Sequence, residues 1–167
     1  MADIKNQLVE KFGNRLRTRV NGILTIDNKI LMVKHLMGEG RIFWNVPGGG
    51  MEYGQSAIEN LKREFREETG LKIEVREFLF VHEHLAPPLH AIELFFVVHN
   101  IKGNLIKGLD PELVPHEQLI DEIRFMETNE IKSIKDTDKH AIFRGINSIN
   151  DIRKWKGNFN FENNCIK

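Results

Sequence analysis

GGGMEYGQSAIENLKREFREETGL, residues 48–71, is the stretch on which the reading of the whole chain turns. It leaves Pro47 through three consecutive glycines and enters an acid-rich helix, expected from about Gln55 to Thr69, that Gly70 stops. Helical spacing of three and four residues returns side chains to one face. At about 100° per residue, Glu64, Glu67 and Glu68 fall within roughly 100° of arc. Ile58, Leu61 and Phe65 form a neighbouring apolar stripe. The stripe is expected to anchor the helix on a core while the carboxylates look into a cleft.

Three like charges so close repel one another. Arg63, four residues before Glu67, offsets part of this, but one arginine does not neutralise three glutamates. Hard divalent cations that take oxygen ligands, Mg²⁺ or Mn²⁺ in its place, suit the donor set. An acidic run alone is most often a solvated helix face. The glycine loop in front and Gly70 behind argue for a site instead.

These residues resemble the Nudix box: a glycine, five residues, a glutamate, seven residues, then Arg-Glu-apolar-x-Glu-Glu-x-Gly-apolar. Gly49 supplies the glycine, and Arg63-Glu64-Phe65-Arg66-Glu67-Glu68-Thr69-Gly70-Leu71 fills the second half without a gap. Gln55 stands where the family has its first glutamate. The resemblance implies that this position partners Arg63, a role in which glutamine lacks charge assistance. It also implies an α/β/α sandwich with a mixed β-sheet. Glu67 and Glu68 would be metal ligands, Glu64 ligand or base, and Arg63 the group that orients the carboxylates. A carbonyl at the position of Gly48 would complete the metal shell. A loop acid shortly before the last strand often binds metal or acts as base in the family, and Glu117 fits that place best, with Glu112 a second candidate.

The rest of the chain bounds this reading. Its 167 residues suit one domain with a sizeable core, spanning 1–167. With 24 basic and 24 acidic residues, no net field draws it to a nucleic acid polymer or an anionic membrane. The single cysteine, Cys165, forms no intramolecular disulfide, which suits a reducing, cytoplasmic setting. MADIKNQLVEKF, at the start, reads as neither signal peptide nor membrane span.

Residues 3–12 suit a short amphipathic helix that covers the sheet or a partner subunit, and a homodimer is left open. Strands are expected at 19–26 and 29–35, joined at Asp27-Asn28. Phe43–Val46 is a short strand whose Trp44 belongs in the core rather than on a base. Lys72–His84 and Ala91–His99 read as longer strands flanking Pro87-Pro88. Those prolines lie 16 and 17 residues past Leu71, similar to a downstream proline of Nudix enzymes acting on ADP-ribose. His82 and His84 share a strand face, yet no thiol or third ligand is evident, so structural or substrate-contacting roles are favoured over zinc. Residues 101–120 form a long irregular loop, Glu122–Met126 a strand, and Thr128 caps a helix to about Ile134. Residues 156–167 read as a polar tail.

The activity implied by the resemblance is divalent-metal-dependent hydrolysis of the pyrophosphate linkage in a nucleoside diphosphate derivative. Either Glu64 or Glu117 takes the proton from water. A non-catalytic nucleotide-binding or regulatory module is the alternative, and Gln55 is the residue that favours it. An interaction protein with an acidic helix is a third reading.

Overall fold

The computed structural model describes residue 10, residues 13–108 and residues 119–161. The expected helix at 3–12 falls outside these apart from Glu10, and Glu112, Glu117 and Cys165 fall outside as well.

The element order is β1 (Arg15–Ile23), β2 (Thr25–Ile26), β3 (Lys29–Leu36), β4 (Ile42–Asn45), β5 (Gly48–Gly50), α1 (Ala57–Thr69), β6 (Lys72–Ala86), β7 (Leu89–Lys102), β8 (Ile120–Glu127), α2 (Thr128–Ser133), α3 (Ile149–Ile152) and β9 (Gly157–Phe159). One sheet runs β5-β1-β7-β6-β9, and in the other β3 pairs with β2, β4 and β8. β1 runs parallel to β7 and β9 parallel to β6, while the remaining pairs are antiparallel. The mixed sheet of the expected α/β/α sandwich is therefore present.

Apolar alternation divides the core between the two faces of these strands. Leu61 and Phe65 of α1 pack with Val20, Leu31, Phe96 and Val98. On the other side Ile30, Met32, Phe80, Phe95 and Val97 meet Ile131 of α2, the turn at Ile142-Phe143, and Ile149 and Ile152 of α3. β1 approaches α1 closely because Gly22 lies against the Phe65 ring, where a Cβ would collide.

Several expectations shift in detail. β1 starts at Arg15, four residues earlier than the apolar run suggested. Asp27 and Asn28 do form the hairpin turn, with φ of 49° and 59°. Ile58 is 46% exposed and leaves the apolar stripe. Asn60 takes a buried place in that part of the helix, because its side chain accepts from Glu52 N and donates to Ser56 O. The tail is not wholly polar. β9 pairs with β6, and Phe159 and Phe161 pack edge-on against Phe80.

Candidate active site

α1 is fixed at both ends before any ligand is considered. Ser56 caps it by accepting from Glu59 N, and the Glu59 carboxylate returns to Ser56 N at 2.8 Å. Gly70 closes it in the left-handed conformation, φ 71°, donating to Arg66 O. The last two turns are thereby held against the glycine strand β5.

Glu64, Glu67 and Glu68 each contact Arg63 or the Gly48-Gly49 backbone there. Gly48 N donates to Glu68 Oε2 at 2.9 Å, which ties the helix to the strand. Gly49 lies against the Glu64 carboxylate, and a side chain at Gly49 would collide with it. Arg63 donates through Nη1 to Glu67 Oε2 at 2.8 Å and through Nη2 to Glu64 Oε1 at 2.9 Å. Burial pushes the Glu64 carboxyl above its ordinary range, against the opposing pull of Arg63 and with added repulsion from Glu67. Burial alone would lower the Arg63 pKa, but Glu64, Glu67 and Glu52 together raise it. The site is thus a set of carboxylate oxygens in excess over one bound guanidinium. That is donor chemistry suited to a hard divalent cation.

Gln55 does not sit beside Arg63. Its Nε2 donates to Glu52 Oε2 at 2.7 Å, and it is Glu52 whose other oxygen lies 3.4 Å from Arg63 Nη2. Glu52 therefore provides the charge that the box places at position 55. The short loop of residues 51–55 lets an acid three residues earlier reach the same arginine. The Gly48 carbonyl, expected to face a metal, has Arg19 Nη2 at 3.5 Å.

Arg19 leads to a group that the linear reading missed. Its Nε lies 3.3 Å from Glu93 Oε1, and Glu93 Oε2 lies 2.7 Å from His140 Nε2 and 3.9 Å from His82 Nε2. His82, Glu93 and His140 are all buried, with one donor atom of each within 4.8 Å of the others. Of the expected pair only His82 is in this group, and its two companions, Glu93 and His140, come from distant parts of the chain. The protonation pattern argues against a metal all the same. Ile142 N donates to His140 Nδ1 at 3.3 Å, so that nitrogen keeps its lone pair and the ring proton sits on Nε2, facing Glu93. Burial would raise the Glu93 pKa. The hydrogen bond from His140, with Arg19 and His82 close by, outweighs it and brings the value to about 2. The one clue in the sequence was an acid inside the apolar run Ala91-Ile92-Glu93-Leu94-Phe95-Phe96.

His90 instead pairs with Glu83 at 3.0 Å. Trp44 is 5% exposed, with Arg124 Cζ 5.6 Å and Lys34 Nζ 5.9 Å from its ring centroid, in keeping with a core role.

A family model described as the NUDIX domain matches residues 15–144. The chain belongs to the Nudix family. An ADP-ribose pyrophosphatase of Methanocaldococcus jannaschii is 30% identical over 139 residues, covering 82% of this chain and 73% of that protein. Phosphatase NudJ of Escherichia coli K12 is 32% identical over 79 residues, covering 43% of this chain and 51% of NudJ. A NUDIX hydrolase structure from Nitrosomonas europaea superposes with a TM-score of 0.65 at 20% identity, covering 75% of this chain and 81% of that one. The fold is thus shared with solved Nudix structures, and family and relatives together make this chain a Nudix pyrophosphohydrolase. Among the described residues no helix is long and apolar enough to cross a membrane.

Proposed function

We propose that this Nudix protein hydrolyses the pyrophosphate linkage of a nucleoside diphosphate derivative, with Mg²⁺ or Mn²⁺ held by Glu64, Glu67 and Glu68. The observation that carries the reading is the joining of these carboxylates to Gly48 and Gly49 around a single arginine. A divalent cation bound there supplies positive charge against the diphosphate and makes water a stronger acid. Arg63 keeps Glu64 and Glu67 in register, and Glu68 is oriented by the Gly48 amide. The Gly48 carbonyl, beside Arg19 Nη2, would be the backbone oxygen of the same shell.

The proton from water goes to Glu64 or Glu117. Glu64 is suited by the environment that raises its pKa. Glu117 belongs to a stretch whose described neighbours are well anchored. Gly108 N donates to Glu68 O at 2.8 Å, and Leu119 O accepts from Leu36 N at 2.7 Å. The 30%-identical ADP-ribose pyrophosphatase supports ADP-ribose as the first substrate to try. We place the protein in a reducing, cytoplasmic setting on the strength of its single cysteine.

The test is a screen of ADP-ribose, nucleotide sugars, nucleoside triphosphates and dinucleoside polyphosphates with Mg²⁺ or Mn²⁺, reading phosphate after phosphatase coupling. Hydrolysis that disappears with chelator and in Glu67→Gln and Glu68→Gln is expected. Tight nucleotide binding with no product from any substrate would instead assign a binding module.

A further inference from the structure

β1 carries arginine at every second position from its first residue: Arg15, Arg17 and Arg19. In a strand, alternate residues share a face, so these three stand on one side of the sheet. The face is identified by Arg19, which contacts Glu93 on β7 and lies beside the Gly48 carbonyl at the glycine strand. The neighbours of Arg17 agree, since it feels the charges of Arg19, Glu93 and Arg15. Burial first, and the two flanking arginines next, bring the Arg17 pKa down to about 10.

The row has a direction. Register pairs Arg19 with Gly50 and Asn21 with Gly48, so β5 ends where the row begins. From Arg19 the strand runs away from the carboxylate site, and each arginine advances by about 6.6 Å, reaching Arg15 about 13 Å along. Exposure rises the same way along this face, from buried Asn21 through half-buried Arg19 and Arg17 to exposed Arg15. His35, on β3, is close enough to Arg19 for the guanidinium to help burial pull its pKa down to about 4. The side of β1 turned away from α1 therefore carries a file of planar, bidentate donors that starts where Arg19 meets the Gly48 carbonyl, at the edge of the carboxylate site, and leads outward. Guanidinium forks match phosphate oxygens two at a time. A neutral sugar offers such a file hydroxyl acceptors but no charge to pair with.

We propose that Arg15, Arg17 and Arg19 form an anion subsite that selects nucleoside diphosphate derivatives carrying a further phosphoryl group about 7–13 Å from the scissile linkage. The inference rests on the hydrolytic reading of the neighbouring carboxylate site. The added phosphate has two sources with the same chemistry, a longer polyphosphate chain or a phosphate monoester on the sugar beyond the diphosphate.

Two measurements on the full chain test it. Calorimetric titration with tripolyphosphate in the presence of EDTA reads the subsite without metal or turnover. Saturable binding is expected, weakened at least about tenfold in Arg15→Gln/Arg17→Gln and less in Arg15→Lys/Arg17→Lys. No binding by the wild type, or equal binding by the glutamine variant, overturns the proposal. The single exposed variant Arg15→Gln repeats the test if the double variant melts early. The second measurement compares kcat/KM for ADP-ribose, its distal-ribose phosphate monoester and diadenosine tetraphosphate. The ratio of phosphate-bearing to plain substrate should fall about tenfold or more in the glutamine variant, through KM. Whichever phosphate-bearing substrate loses most names the source, and an equal loss on all three overturns the selection. Tripolyphosphate binding without hydrolysis of any substrate would sink the hydrolytic reading and leave the anion subsite standing.

Discussion

Arg63 is the residue on which the carboxylate site is organised, because Glu52, Glu64 and Glu67 all converge on its guanidinium. The arrangement fixes what Gln55→Glu should do. A carboxylate at 55 would face Glu52, whose oxygen now accepts from the Gln55 amide at 2.7 Å, so a hydrogen bond becomes a like-charge contact. The pair faces solvent, and the thermal midpoint should fall slightly rather than rise. A rise would show that residue 55 reaches Arg63 after all. The two candidate bases separate in the same way. Glu64 accepts from Arg63 and lies among the other acids, so Glu64→Gln should raise the Mg²⁺ requirement as well as lower rate. Glu117→Gln should lower turnover by about 10²–10⁴-fold with nearly unchanged Mg²⁺ dependence. Full activity of Glu117→Gln at saturating Mg²⁺ returns the role to Glu64.

At the scale of elements, the C-terminal end of α1 is completed by a segment with no regular structure. Ile106 N donates to Thr69 O and Gly108 N to Glu68 O, covering carbonyls that a helix end leaves without partners. Gly108 lies so close that a Cβ would run into the Glu67 carbonyl. Gly108→Ala should therefore push the segment off the helix. The expected cost is about 1–3 kcal/mol in unfolding, together with weaker Mn²⁺ binding in calorimetry, since Glu67 and Glu68 lie on that turn. Unchanged stability and unchanged Mn²⁺ affinity would show that the docking is unimportant. The contrast between these elements explains what the sequence disclosed. Leu61, Phe65 and Gly70 are close neighbours in the chain, so a period of 3.6 and a terminal glycine reveal α1 directly, while the Ser56 cap starts it at Ala57 rather than near Gln55. Ile142, Phe143, Ile146, Ile149 and Ile152 are all buried in the core, but short turns break any single period. In the sequence, residues 140–155 accordingly show no element and 156–167 read as a polar tail.

Across the whole molecule, β1, β7 and the turn at His140 are joined by one buried carboxylate. Arg19, Glu93 and His140 are far apart in the chain, and only the parallel β1–β7 pairing and the packing of the 140 turn bring them together. No spacing rule on a linear sequence would have grouped them. The consequence is an acid limit on stability whose sign follows from linkage. Glu93 titrates near 2 in the folded protein and near 4.5 as an ordinary carboxyl, so between those values the unfolded chain binds the extra proton. Stability contributed by this group is complete above about pH 4.5 and is lost as pH falls toward 2. His35 acts in the same direction at higher pH. Its pKa drops from 6.5 to about 4, so the unfolded chain is again the better proton acceptor between those values. Denaturant unfolding from pH 8 to pH 3 should thus show two descending limbs, one beginning near pH 6.5 and a second below 4.5. His35→Gln should flatten the first and leave the second. Glu93→Gln should lower stability at neutral pH, because His140 and Arg19 lose a buried partner, and should flatten the second limb. A wild-type profile level down to pH 4.5 would remove the His35 limb, and a Glu93→Gln profile with the acid limb intact would show that some other carboxylate sets the limit.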